Sequence, residues 1–376
     1  MVAGEASGDL HGADLAKELR ALLPETEIFG MGGVRMAEQG IHLLARCAKS
    51  SVVGSVEVLG SAGAIAQSFR RLHRALKSER PDLLILIDFP DFNLLLGRFA
   101  RREKIPIIYY ISPQIWAWRP GRIKTIRRLV DQMLVILPFE EELYRRAGVD
   151  VHFVGHPLLD QTATVLSREE VRLQLGILDG RRLIGLMPGS RSAEVLRHLP
   201  LMLKAALLLR REDPELEFVI SQANSIDDET MGALIPPEAA KWRIWKGRSC
   251  DLMNAADLLV VASGTVTLEA SILGIPMVII YSLSWPSWLL GKLLVRVSHV
   301  GLVNLLLGRE VVPELLQREA RPEGIAQVVG VLLKDGRKRE AMGEELLSVR
   351  SLLGEKGASR RAAMHIAHFL ESEALS

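Results

Sequence analysis

Short, nearly unbroken apolar runs alternate with stretches of helical period along most of this chain. Asp82 to Asp88, Ile105 to Tyr110 and Asp131 to Leu137 each enclose such a run, and Val151 to Val154 is a shorter one. Runs without polar alternation are expected of parallel strands covered on both faces. Asn93 to Arg102 and Phe139 to Ala147 read as helices between them. After a charged stretch from Ser167 to Arg182 the pattern restarts, with strands predicted at Arg182 to Met187, Glu217 to Ile220, Leu258 to Val261 and Pro276 to Ile280. This alternation predicts βαβ units. The expected fold is α/β: two Rossmann-like, doubly wound parallel-sheet domains, residues 1–160 and 161–376, facing across a cleft.

Length and composition agree. The chain has 376 residues, too many for one ordinary core, and 48% of them are apolar against 24% charged. Cys47 and Cys250 match no metal or redox spacing, which favours a reducing compartment. A net charge of only +2 gives no general nucleic-acid footprint, although basic residues gather at Arg70 to Arg74 and at Arg119 to Arg128. Each basic group reads either as a solvated helix face or as a surface that meets anionic phosphate or lipid. Met1 to Glu5 has neither the basic start nor the apolar core of a secretory signal, and no run is long enough to span a bilayer. The apolar stretch Val278 to Leu290, broken by Pro286, could lie on one.

Two segments need separate reading. Gly4-Glu5-Ala6-Ser7-Gly8-Asp9 looks like the loop after a first strand, yet only Met1 to Ala3 precede it. Either that strand is unusually short or the natural start lies upstream. From Val52 to Leu76, residues Ala62, Ile65, Phe69, Leu72 and Leu76 recur at helical spacing, with Arg70, Arg74 and Lys77 as a basic face. Such a helix either buries its apolar side on the sheet or presents it to acyl chains.

Ligands of open α/β sheets sit beyond the carboxyl ends of strands. Asp88 ends its predicted strand there and is the candidate general base, with Asp91 and Asn93 following as helix caps or substrate contacts. Ser7, Trp116 and Trp118 are further candidates for substrate contact, the tryptophans as sugar platforms or as aromatic core. In the second half, Gly189, Ser190 and Arg191 offer backbone, hydroxyl and guanidinium donors suited to phosphate. Ser263, Gly264 and Thr265 open a helix as an anion cradle, and Glu269 could accept from ribose hydroxyls. Asn304 sits in an apolar setting where its amide needs partners, which a ligand could supply. His156 lies near the proposed domain junction and suits packing better than acid–base work. No spacing calls for a metal, and metal-free chemistry is expected.

Taken together, Gly4 to Asp9, Ile87 to Asn93, Ser112 to Trp118, Leu137 to Glu140, Phe153 to Pro157, Pro188 to Arg191, Ser263 to Glu269 and Asn304-Leu305 resemble the signatures of bacterial lipid-A-disaccharide synthases, in order along nearly the whole chain. Gln114 departs from the pattern, standing where many members have serine. The resemblance implies a GT-B fold and inverting transfer of 2,3-diacylglucosamine from its UDP donor to 2,3-diacylglucosamine 1-phosphate, without a cofactor or metal. It also implies that Asp88 is the base, that Arg191 serves the donor phosphates, and that Glu269 and Asn304 are functional polar positions. Peripheral association with the anionic inner face of the inner membrane and a possible homodimer through exchanged C-terminal elements follow from it too. The competing readings are a UDP-sugar epimerase and a noncatalytic nucleotide-sugar-binding module.

Overall fold

The computed structural model describes residues 1–47, 55–283 and 298–374, with the side chains of 55–62 and of 374 outside the description. The predicted lipid-facing residues 52–54 and 284–290, Trp285 and Trp288 among them, therefore lie outside the described residues. The chain divides into two compact units, Met1–Asp160 with Leu353–Ser376, and Gln161–Leu352.

The first unit is built on seven parallel strands: β1 (Val2–Ala3), β2 (Phe29–Gly32), β3 (His42–Arg46), β4 (Leu84–Ile87), β5 (Ile107–Tyr110), β6 (Gln132–Val135) and β7 (Val151–Phe153). They lie in the order β3-β2-β1-β4-β5-β6-β7. Every residue of β4, β5 and β6 is buried, as their unbroken apolar runs require of strands covered by helices on both faces. On one side the helix Ser55–Ser78 turns Leu72, Ala75 and Leu76 inward and leaves Arg70, Arg71, Arg74 and Lys77 exposed. Phe69 meets Phe92 and Phe99 edge-on at 5.5 and 5.6 Å, joining this helix to Pro90–Arg102. The described apolar side of the segment is thus packed on the protein, save for the exposed Ile65.

The second unit has six parallel strands: β8 (Leu183–Met187), β9 (Glu217–Ser221), β10 (Arg243–Trp245), β11 (Leu258–Ala262), β12 (Met277–Tyr281) and β13 (Glu314–Leu316), ordered β10-β9-β8-β11-β12-β13. The helix Ser192–Glu212 packs on Pro322–Lys334, and Val266–Ile272 packs on Gly336–Leu352.

One boundary differs from the sequence division at 160/161. The last helix, Ala358–Ala374, had been placed with the second domain but packs along Ala6–Leu22 in the first unit. Its buried Ala358, Ala362, Ala363 and Ile366 form the seam. The crossing is fastened locally: His156 N–H donates to Leu353 O, and Gly357 N–H to both carboxylate oxygens of Asp160.

Both sheets reverse their winding once, between β1 and β4 and between β8 and β11, and such reversal points are where open α/β sheets bind ligands. Register decides which loops meet there. Ala3 pairs with Ile87, so Gly4 follows alongside Asp88. Val261 pairs with Met187, so the turns after Ala262 and after Met187 emerge side by side.

Candidate active site

In the first unit the carboxyl end of β4 runs into two consecutive residues with left-handed backbone, Asp88 (φ 43°) and Phe89 (φ 48°). Such conformations cost roughly 1–3 kcal/mol each in residues other than glycine and persist only where the surroundings enforce them. Here the enforcement is visible. Asp88 O accepts from Asn93 Nδ2 at 2.6 Å and from Tyr109 Oη at 2.5 Å, while Asn93 Nδ2 also reaches Ile87 O. Burial and the charge of Asp88 push the Tyr109 phenol well above its usual range, so it acts as a fixed O–H donor. A β-carbon at Gly4 would lie 2.1 Å from the Phe89 ring, so only glycine admits the ring at that place. The Asp88 side chain is half-buried at the mouth of this turn. Neither Asp91 nor Asn93 caps the next helix, contrary to the capping expectation: it begins at Pro90, with Phe89 as its N-cap. Asn93 is fully buried and holds the turn in shape, and Ser7 is exposed on the first turn of Ala6–Leu22.

The turn after β5 carries the aromatic residues. Ser112 Oγ and Trp116 Nε1 donate to Glu140 Oε1 at 2.7 and 3.0 Å, and Leu137 N–H donates to Oε2. Glu140 is buried, and burial pushes its carboxyl up to about 7 despite those donors. Trp116 sits edge-on to Phe139 at 5.1 Å, so this indole is partly spent on the protein. Trp118 is exposed, with the Arg119 guanidinium 4.4 Å above its ring. Arg119 and Arg122 both pair with Asp91 Oδ1. Glu140 was visible in the sequence only as part of a motif, and its role as anchor of a distant turn was not.

In the second unit Gly189 has φ +114°, and a β-carbon there would meet Glu194 Oε2 at 2.5 Å. That close approach lets Glu194 accept from Ser190 N–H and Arg191 N–H while its other oxygen pairs with Arg191 Nη1 at 3.1 Å. The backbone donors expected for a ligand anion are here met by the carboxylate of Glu194, which forms a capping box at the start of the following helix. Arg191 is largely exposed. Beside it, the helix Val266–Ile272 starts after Gly264 and Thr265, both exposed, with no atom within 4 Å of a β-carbon built on Gly264. Ser263 Oγ donates to Val300 O. Glu269 accepts from Ser249 Oγ at 3.2 Å, and its burial raises its carboxyl.

Asn304 is fully buried, and the protein itself supplies the partners that a ligand was expected to supply. Its Nδ2 donates to Val312 O and Glu314 Oε1, and its Oδ1 accepts from Val311 and Val312 N–H. Glu314 in turn accepts from Val300 and Gly301 N–H. The chain from Asn304 through Glu314 to Val300 ends on Ser263, so Asn304 supports the cradle from behind. Glu194, Ser249 and Glu314 were missed from sequence, because each acts through a fold-dependent contact. His156 accepts from Leu158 N–H through Nδ1, and burial holds it down to about 3, neutral at any ordinary pH. Among the described residues no group of three or more His, Cys, Asp or Glu could hold a metal ion, and no helix is long and apolar enough to cross a membrane.

Two doubly wound parallel sheets, each armed at its reversal point, define a GT-B-like protein. Comparison with solved structures agrees on the fold: a UDP-N-acetylglucosamine 2-epimerase from Neisseria meningitidis matches with TM-score 0.60 at 12% identity, over 96% of this chain and 97% of that one. The calicheamicin glycosyltransferase CalG4 matches with TM-score 0.61 at 14% identity, over 100% and 97%. Sequence is more specific. The family model for lipid-A-disaccharide synthetase matches residues 1–367. A lipid-A-disaccharide synthase of Geobacter sulfurreducens is 46% identical over 363 residues, 96% of this chain and 94% of that protein. The chain belongs to the lipid-A-disaccharide synthase family.

Proposed function

We propose that this hexosyltransferase divides its reaction between its units, the first activating the acceptor and the second holding the donor diphosphate. The reaction is inverting transfer of 2,3-diacylglucosamine from its UDP donor to 2,3-diacylglucosamine 1-phosphate, which yields the β-1,6-linked disaccharide 1-phosphate and UDP. Asp88 takes the proton of the acceptor 6-hydroxyl as that oxygen attacks the anomeric carbon, and Asn93 and Tyr109 keep its turn rigid. Ser7, Trp116 and Trp118 flank the acceptor. Gly189, Ser190, Arg191, Ser263, Gly264 and Thr265 hold the UDP leaving group, the guanidinium matching phosphate geometry. Glu269 serves the ribose, and Asn304 acts by supporting Ser263.

The match to the family along the chain is the observation that carries this reading. The opposite chemistry of the two reversal points supports the division of roles. Acylated substrates and the exposed basic face Arg70, Arg71, Arg74 and Lys77 support residence on the anionic inner face of the inner membrane. The homodimer rests on family resemblance alone.

One incubation tests the activity. With both acylated substrates, the protein forms a product of disaccharide 1-phosphate mass and releases UDP in equal amount. Conversion of the donor alone, without need of an acceptor, would instead indicate an epimerase.

A further inference from the structure

The basic group from Arg119 to Arg128 is not used by the reaction as described so far. Arg119 and Arg122 converge on one carboxylate oxygen, Asp91 Oδ1. A guanidinium has five N–H donors in a fixed fork, so this shared contact orients both forks without exhausting them. Trp118 adds a second constraint, with Arg119 at 4.4 Å and Arg122 at 5.7 Å from its ring centroid. The Arg122 side chain is only 16% exposed, whereas Arg119 is 47% exposed. Two cations against one carboxylate leave a local positive excess, and Lys124, Arg127 and Arg128 are exposed on the next helix.

Position gives this pair a role. Asp91 is three residues beyond Asp88, and three residues of chain span at most about 10–11 Å. The forks gathered on Asp91 therefore lie close to the Asp88 turn. An acceptor that offers its 6-hydroxyl to Asp88 carries a phosphate monoester at the other end of its sugar ring, with a charge of about −1.5 to −2. The neighbouring carboxylates Asp88 and Asp91 would repel it. We infer that Arg119 and Arg122, oriented by Asp91 and Trp118, form the subsite for the acceptor's anomeric phosphate. This rests on the reaction proposed above and assigns Asp91 an orienting role, without contact to substrate.

The test compares kcat/KM for 2,3-diacylglucosamine 1-phosphate with that for 2,3-diacylglucosamine lacking the phosphate, in the wild type, Arg119→Ala and Arg119→Lys. Arg119 is chosen because it is the more exposed of the pair. The wild type prefers the phosphorylated acceptor. Arg119→Ala lowers that preference about ten- to hundredfold, through the acceptor KM and with the donor KM within about twofold. Arg119→Lys, which keeps the charge but loses the fork, falls between. Equal loss on both acceptors, or a wild type that does not discriminate, overturns the subsite. So does a variant that keeps its preference while losing affinity for phosphatidylcholine vesicles doped with phosphatidylglycerol, because the arginines would then serve the membrane. A wild type that forms no disaccharide from either acceptor sinks the reaction itself, a result distinct from the others.

Discussion

The two units share a strand order and arm its reversal point with opposite chemistry. In the first, backbone strain and a half-buried carboxylate make a hydrogen-bond acceptor, held from behind by Asn93 and Tyr109. In the second, glycine and serine turns and Arg191 make donors, with Glu194 occupying part of them. Topology thus places a turn at the same reversal point of each sheet, and a few residues on those turns set its charge. A transferase needs both: a base on one substrate and a cradle for the leaving anion of the other.

The largest expected effect falls on the acceptor side. Asp88→Asn keeps size and hydrogen bonding but removes the base, and turnover drops by about 10²–10⁴ at saturating substrates, measured as disaccharide formed per enzyme. A variant with normal turnover would remove Asp88 from the chemistry.

The two buried asparagines sharpen the contrast next. Asn304→Ala strands Val311 and Val312 N–H and removes a donor from Glu314, whereas Asn93→Ala leaves Tyr109 still serving Asp88 O. At about 1–3 kcal/mol for each buried group left without a partner, Asn304→Ala is the more destabilising in urea unfolding.

Glu140 belongs to the first unit alone. Burial raises its carboxyl from 4.5 to about 7, so the folded protein keeps a proton through that window that the unfolded chain has released. Stability therefore falls as pH rises from about 4.5 through 7 and levels off above, by about 3 kcal/mol in all. Glu140→Gln cannot ionise and flattens that part of the stability–pH curve. An unchanged slope in the variant would place its origin elsewhere.

The smallest effects separate the glycines. Gly4→Ala drives a methyl into the Phe89 ring and costs about 1–3 kcal/mol, while Gly264→Ala meets open space and changes stability by no more than about 0.5 kcal/mol. Thermal melting of both variants checks the pair.

Much of this is legible in the sequence. The fully buried strands β4, β5, β6, β8 and β11, and the nearly buried β12, announce themselves as unbroken apolar runs, with motifs at the carboxyl ends of several. Strands β2, β3, β10 and β13 were not foreseen. Phe29-Gly30-Met31-Gly32 has too many glycines, and Glu314-Leu315-Leu316 is too short, for period or propensity to mark them, so neighbouring strands decide. The return of the last helix to the first unit depends on contact with Ala6–Leu22, at the far end of the sequence, which no local pattern encodes. Asn304 shows the same limit at one residue. Its need for partners was plain, but only the fold shows that Val311, Val312 and Glu314 meet it.

The division of labour is tested most directly by titrating UDP calorimetrically into Asp88→Ala and Arg191→Ala. Asp88→Ala should bind UDP as the wild type does, and Arg191→Ala should bind it about tenfold or more weakly, as expected for loss of a charge-assisted contact. Weakened binding in the first variant with unchanged binding in the second would contradict the assignment of acceptor chemistry to one unit and diphosphate to the other.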